Sequence, residues 1–206
     1  MCRWNITGKK EEMSKINIIK TSIFLFLFVL VSPLSFSQKI VQDNVNENGQ
    51  RVITADYTFF GKYIEASGPI AVALQCISEE GKSPEFRILI RYKYLFPQTI
   101  KKGSALKMNL QSDNSTITII SDRDVSREDL NKWVRDEVAI PTANGTWYIG
   151  TAYYYITEDE IKQIINNTVK NLYFSEEAFV VSGVFTDGIE GSYKKILKCL
   201  NKKTKH

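Results

Sequence analysis

Phe86-Arg87-Ile88-Leu89-Ile90-Arg91-Tyr92-Lys93 is the stretch on which the reading of the fold turns. Phe86, Ile88, Ile90 and Tyr92 alternate with Arg87, Leu89, Arg91 and Lys93. A period of two sends one set to each face of a strand. A helix is the competing reading, but the alternation persists through the whole stretch. The expectation is a half-buried strand with basic residues on its outer face.

The same period extends to both sides. Ile70–Ile77 is a mostly apolar run of strand length, and Glu79–Pro84 reads as a turn. Val52–Tyr63 is rich in β-branched and aromatic residues, which suggests one strand, or two with a break near Gly61. Downstream, Leu106, Met108 and Leu110 alternate with Lys107 and Asn109. Gln111–Ser115 forms a polar tip and Thr116–Ile120 returns, so this block reads as a β-hairpin.

The period then switches. Ser126 and Asp129 resemble a loose cap ahead of Leu130, Trp133 and Val134, whose spacing predicts a short helix. Thr146–Ile156 has strong β composition. Thr157 and Glu160 form a capping box ahead of Ile161, Ile164 and Ile165. Val169–Phe174 and Ala178–Phe185 read as strands. Tyr193, Ile196, Leu197 and Leu200 then follow helical spacing, with Gly188 and Gly191 before them as turn and helix-entry residues. With hairpins early and helices late, the expected class is α+β: a mainly antiparallel β-sheet of about six to eight strands with two or three helices, including a carboxyl-terminal helix.

The amino-terminal region has a different character. Ile23–Val31 is an unbroken apolar run, too short for the roughly 20 residues of a membrane-spanning helix. Lys15 and Lys20 precede it, Pro33 breaks it, and Ser35 and Ser37 occupy the −3 and −1 positions of a cleavage site before Gln38. These are the parts of a secretory signal in their usual order. Residues 1–37 are therefore expected to be a signal peptide, with Met13 as its start, because Glu11 and Glu12 weaken the positive flank. Residues 38–50 read as a polar lead-in and 51–206 as a single domain, periplasmic or secreted, with no transmembrane span after cleavage.

Removing the leader changes the charge argument. The chain has 27 basic and 23 acidic residues, of which five and two lie in residues 1–37, leaving 22 against 21. A near-neutral mature chain has no overall electrostatic footprint for nucleic acid. The basic tail around Lys194, Lys195, Lys198, Lys202, Lys203 and Lys205 reads as a solvated helix face.

Chemistry is constrained mainly by what is missing. The single histidine, His206, ends the chain, where residues are usually mobile. Histidine-based nucleophilic systems and histidine-ligated metals therefore have no credible members here, and no cofactor is expected. The spacing of Gly183, Gly188 and Gly191 matches neither a dinucleotide fingerprint nor a P-loop. Asp122-Arg123-Asp124 lacks the glycine and distal glutamate of an EF-hand loop. Asp56, inside an apolar strand, reads as an outward position.

Two cysteines follow the leader, Cys76 and Cys199, an even pair for which an oxidising compartment allows a disulfide; two buried thiols are the alternative. The aromatic cluster Trp147, Tyr148, Tyr153, Tyr154 and Tyr155 supplies the binding candidates, with Trp147, Tyr148 and Tyr154 foremost. In a strand, Tyr153 and Tyr155 face one way and Tyr154 the other. The leading functional expectation is an exported, non-catalytic domain binding a protein or glycan. A hydrolase using a carboxylate pair and a carrier of a small apolar ligand are the rivals.

Two blocks also carry a resemblance. Lys102-Gly103 with Leu106–Leu110 and Ile117–Ile120 is one, and Tyr155–Ile161 with the strand after it is the other. With the Ser35-Phe36-Ser37-Gln38 region, they resemble a class of exported proteins of Bacteroidetes-type bacteria that has no known activity. The resemblance spans about residues 100–175 and departs at Ser121–Tyr148. It implies an envelope location and transfers no functional residue.

Overall fold

The alternation at Phe86–Lys93 lies within a ten-residue strand, with Phe86, Ile88, Ile90 and Tyr92 buried on one side. It belongs to a computed structural model that describes residues 39–60, 70–134, 146–175, 177–181 and 183–202. All of these fall in one compact unit, Ser37–His206. The signal-peptide reading of residues 1–37 lies outside the described residues.

In chain order the elements are β1 (Ile40–Val45), β2 (Arg51–Ala55), β3 (Thr58–Phe60), β4 (Ile70–Ser78), β5 (Glu85–Tyr94), β6 (Ala105–Leu110), β7 (Thr116–Ile120), β8 (Asn131–Val134), β9 (Thr146–Ile156), α1 (Glu158–Asn166), β10 (Val169–Phe174), β11 (Glu177–Val180) and α2 (Gly183–Asn201). The larger sheet runs β1-β2-β4-β5-β9-β8, with β3 also paired to β4. The smaller runs β11-β10-β6-β7. Every strand pair is antiparallel. The class is α+β with a carboxyl-terminal helix, as expected.

The core joins the two sheets and the helices. Ile53, Leu74, Ile88, Ile90, Tyr92 and Tyr154 come from the larger sheet, Leu106, Met108 and Phe174 from the smaller, and Ile161, Phe185 and Ile196 from the helices. The rings of Tyr92 and Phe174 meet at 5.1 Å between centroids and link the sheets. Tyr193 of α2 donates to Glu158 Oε1 of α1 at 2.6 Å, tying the helices together.

Several local expectations are corrected. The lead-in, residues 38–50, contains β1, whose residues after Ile40 are all exposed. An edge strand with no buried face carries no hydrophobic period, and only pairing to β2 reveals it. The helix expected at Leu130–Val134 is instead β8, paired to β9. Its cap exists, since Ser126 N and Oγ both donate to Asp129 Oδ2 at 2.7 and 2.8 Å, but it closes a turn. Phe185 belongs to α2 rather than to a strand, and Gly183, Gly188 and Gly191 also lie inside that helix. Gly188 is buried there. A Cβ at this position would lie 3.0 Å from Thr58 Oγ1, so glycine lets the helix sit close on the sheet.

The strand expected over Val52–Tyr63 breaks at Asp56–Tyr57. Thr54 pairs with Gln75 but Thr58 with Val72, so three residues span what two span on β4. This bulge-like extra residue shifts the face assignment by one. Asp56 accepts the Tyr57 N–H at 2.8 Å within it.

The capping box at the start of α1 is present in full. Thr157 Oγ1 accepts from Glu160 N at 3.2 Å, and Glu160 Oε2 accepts from Thr157 N at 2.8 Å. Ile161 and Ile164 bury the inner face of the helix. Thr157→Ala should destabilise the protein by about 1 kcal/mol, read as a lower urea midpoint at unchanged slope. An unchanged midpoint would show that α1 is held by its packing alone.

Candidate functional site

Register decides what the outer face of the larger sheet presents. Gln42 pairs with Thr54, Thr54 with Gln75, Gln75 with Arg87 and Arg87 with Tyr155. One polar row therefore crosses five strands. Gln75 Nε2 donates to Thr54 Oγ1, and Thr54 Oγ1 to Gln42 Oε1, both at 3.0 Å. Arg87 Nη2 donates to the Tyr155 hydroxyl at 3.1 Å.

Cations cover aromatic rings along this face. Arg87 Cζ lies 5.0 Å from the centre of the Tyr155 ring, and Arg91 Cζ lies 4.1 Å from that of Tyr57. Lys93 Nζ is 4.7 Å from the Trp147 ring, and Arg123 Cζ is 4.2 Å from the Tyr153 ring. Each such pair contributes about 0.5–1 kcal/mol at an exposed site and holds the cation in place. The bulge at Asp56–Tyr57 is what brings Tyr57 to the Arg91 side. Tyr155 is 46% exposed and Arg91 is exposed, while Leu89, Ala73 and Gln75 on the same face are buried, so the face reaches solvent at Arg91 and Tyr155.

Asp122 anchors one end. Its carboxylate is almost fully buried, 2.9 Å from Arg87 Nε and 3.0 Å from Arg123 Nε. The Arg87 Nε–H does not point along its contact, which makes this an ion pair without a hydrogen bond. The hydrogen bond from Arg123 is made, and with it the guanidinium is held further above its ordinary pKa. On this face β5 carries Arg87, Arg91 and Lys93 against the single carboxylate of Glu85, and β9 carries no charge. The face is thus locally positive.

A separate groove of about 990 Å³ lies over the smaller sheet. Lys107 and Asn109 of β6, Thr116 and Thr118 of β7, and Tyr173 of β10 line it, with the Gln98–Ile100 loop, Ser104, Ala105, Tyr154 and Ser175. Among the described residues no carboxylate lines this groove, and its surface is about half polar and half apolar. The described lining thus brings no pair of carboxylates together, and it is mixed rather than the predominantly apolar pocket that an apolar cargo takes.

No family model, curated protein or solved structure matches this chain.

The aromatic candidates separate cleanly. Trp147 reaches the outer face, stacked with Lys93. Tyr148 turns the other way, half-buried against the core and opposite Tyr94. Tyr154 is 1% exposed, a core ring on the opposite side of β9 from Tyr153 and Tyr155; it borders only the groove. Tyr148 and Tyr154 are thus withdrawn from the outer face, and Tyr57, Tyr153 and Tyr155 join Trp147 there. Three of the cations over those rings, Arg87, Arg91 and Lys93, were foreshadowed by the alternation at Phe86–Lys93. Tyr57 was not, because its facing depends on one extra residue in the strand.

Cys76 and Cys199 are free thiols in this structure, the first buried and the second partly so. Burial pushes the Cys76 thiol up to about 12, so it carries almost no thiolate at neutral pH and is a weak nucleophile. Among the described residues, no cluster of three or more potential metal ligands occurs, and no helix is long and apolar enough to cross a membrane. Asp124 is occupied otherwise: its Oδ1 accepts the Lys102 N–H at 2.7 Å.

Proposed function

We propose that the chain is an exported, non-catalytic domain that binds an acidic segment of a partner protein through the outer face of its larger sheet, in the periplasm or outside the cell. The observation that carries this reading is the set of cation–ring pairs at Arg87–Tyr155, Arg91–Tyr57, Lys93–Trp147 and Arg123–Tyr153. Tyr, Trp and Arg are the residues that dominate protein interfaces energetically. A ring fixes each cation, so less side-chain entropy is lost when an acidic chain docks. The positive balance favours carboxylates and speeds encounter with them. The cation–ring pairs are spread over several strands, an arrangement that suits an extended chain better than a small molecule.

The test is calorimetric titration of the protein, purified from an exporting host, with poly-L-glutamate and with polygalacturonate. Binding to polyglutamate that weakens steeply with salt is expected. The double variant Arg91→Ala/Tyr155→Ala should lose at least about tenfold in affinity, since both side chains reach solvent and neither supports the core. Equal affinity of variant and parent would remove this face from the reading. Preference for polygalacturonate would replace the protein partner by an acidic glycan.

A further inference from the structure

The groove over the smaller sheet has a construction of its own. Lys107 of β6 pairs with Thr118 of β7 on one side and with Tyr173 of β10 on the other. The three side chains therefore stand abreast across three strands, spanning about 10 Å at the usual strand spacing. Two residues along, Asn109 pairs with Thr116 and Asn171, adding a second row about 7 Å away. The platform is stiff, because the intervening Leu106, Met108 and Leu172 are buried in the core beneath it.

The wall is also fixed. The fully buried Tyr92 donates its hydroxyl to Gln98 O at 2.8 Å, and Ile100 and Val125 exchange backbone hydrogen bonds at 3.1 and 2.7 Å. Ser104 O accepts from Ser121 N at 2.9 Å. The loop Gln98–Ile100 and Ser104 thus stand in place before any ligand arrives, which lowers the ordering cost of binding.

The polar groups on this platform are unspent. Thr116 Oγ1 donates to Asn109 Oδ1 at 3.0 Å, which leaves the Asn109 amide N–H groups directed elsewhere. Among the described residues, the Lys107 ammonium, the Thr99, Ser104 and Thr118 hydroxyls and the Tyr173 phenol make no side-chain hydrogen bond or ion pair. The described lining therefore offers several neutral donors and acceptors, the Tyr173 ring beside the buried Tyr154, and one cation. A fatty acid would need a predominantly apolar wall, whereas about half of this lining is polar. A nucleotide's phosphates would call for more than one cation or a glycine-rich cradle. A metal would need carboxylates.

We infer that this groove is a binding site for a short saccharide bearing one carboxylate, with the acid group on Lys107, a sugar face on Tyr173, and hydroxyls on Thr118, Asn109 and Thr99. The site is independent of the outer face of the larger sheet and of the acidic partner proposed there.

Amide chemical-shift mapping of the full protein tests it, with methyl glucuronide, methyl glucoside and decanoate as probes at up to about 10 mM, the range in which single sugars bind. Methyl glucuronide should shift the amides of Ala105–Asn109, Thr116–Thr118 and Tyr173. It should bind about five- to tenfold more tightly than methyl glucoside. Lys107→Met should abolish that preference while leaving glucoside binding unchanged. Tyr173→Ala should weaken both sugars about tenfold. Lys107 projects from the fold and its replacement leaves the core intact, so a structural defect would appear instead as widespread shifts in the unliganded spectrum. Binding with no glucuronide preference would overturn the assignment of Lys107. Absence of shifts with either sugar, or shifts with decanoate alone, would overturn the site.

Discussion

Phe174→Ala is expected to lower stability by about 3–5 kcal/mol, the largest single-residue effect argued for this protein. Phe174 is fully buried at the end of β10 and packs on Tyr92 across the gap between the two sheets. Its neighbours are themselves pinned. Tyr92 is held by Gln98 O, and Leu172 is tied into β10 between β6 and β11. A site whose walls cannot move inward keeps most of the cavity that truncation opens, which places the cost toward the upper part of the range. Urea unfolding of the variant checks this, read as a fall in midpoint at unchanged slope. A loss below about 1 kcal/mol would mean that the sheets collapse onto one another and that Phe174 is not the keystone its position suggests.

Gly150→Ala should cost about 3 kcal/mol, the upper end for overpacking a filled core. Gly150 of β9 pairs directly with Tyr92 of β5. A Cβ at this position would overlap Tyr92 Cζ and Oη and lie 2.8 Å from Leu130 Cδ2. The tyrosine has no free volume to retreat into, because it is fully buried, hydrogen-bonded at its tip and flanked by Tyr94 at 5.8 Å and Phe174 at 5.1 Å. Moving the ring would break its bond to Gln98 and shift a wall of the groove. Sugar-induced shifts in this variant should therefore weaken along with its stability. A double-mutant cycle isolates the clash: in a Tyr92→Leu background, Gly150→Ala should cost less than about 1 kcal/mol. Equal costs in both backgrounds would locate the strain in the backbone of β9.

Where a segment buries one face, its period was visible in the sequence. β5, β6, β7 and β9 alternate because each presents one side to the core, and the capping box announces α1 through chemistry local to four residues. The larger sheet has seven strands and the smaller four, and among the described residues β1, β3, β8 and β11 are the short or exposed ones. Their existence depends on a neighbour's unpaired backbone rather than on their own composition. Leu130, Trp133 and Val134 show the ambiguity well, since their spacing is compatible with one helical turn until β9 offers its edge. The start of α2 was obscured because its first turn holds Gly183 and β-branched Val184 and no acidic residue.

The face proposed to bind was legible in part. The outward cations of β5 and the opposite facing of Tyr154 from Tyr153 and Tyr155 follow from strand geometry alone. The coupling of each cation to a ring needed the register between β5 and β9 and, for Tyr57, the extra residue near Asp56. The groove was not legible, because its rows come from three strands whose adjacency no local pattern encodes.

The pairing of β5 with β9 also governs how the chain can fold in time. Phe86 must find Ile156 and Tyr94 must find Tyr148, with the whole β6–β7 hairpin and β8 lying between them in the chain. Local pieces such as that hairpin and α1 close in microseconds, but a central pair separated by so long a loop is slow to form, and such topologies fold in milliseconds to seconds. A growing chain cannot complete the larger sheet until β9 has emerged. Until then the edge of β5 that β9 will occupy keeps its backbone groups unpaired, an open template for pairing with another chain for much of the protein's synthesis.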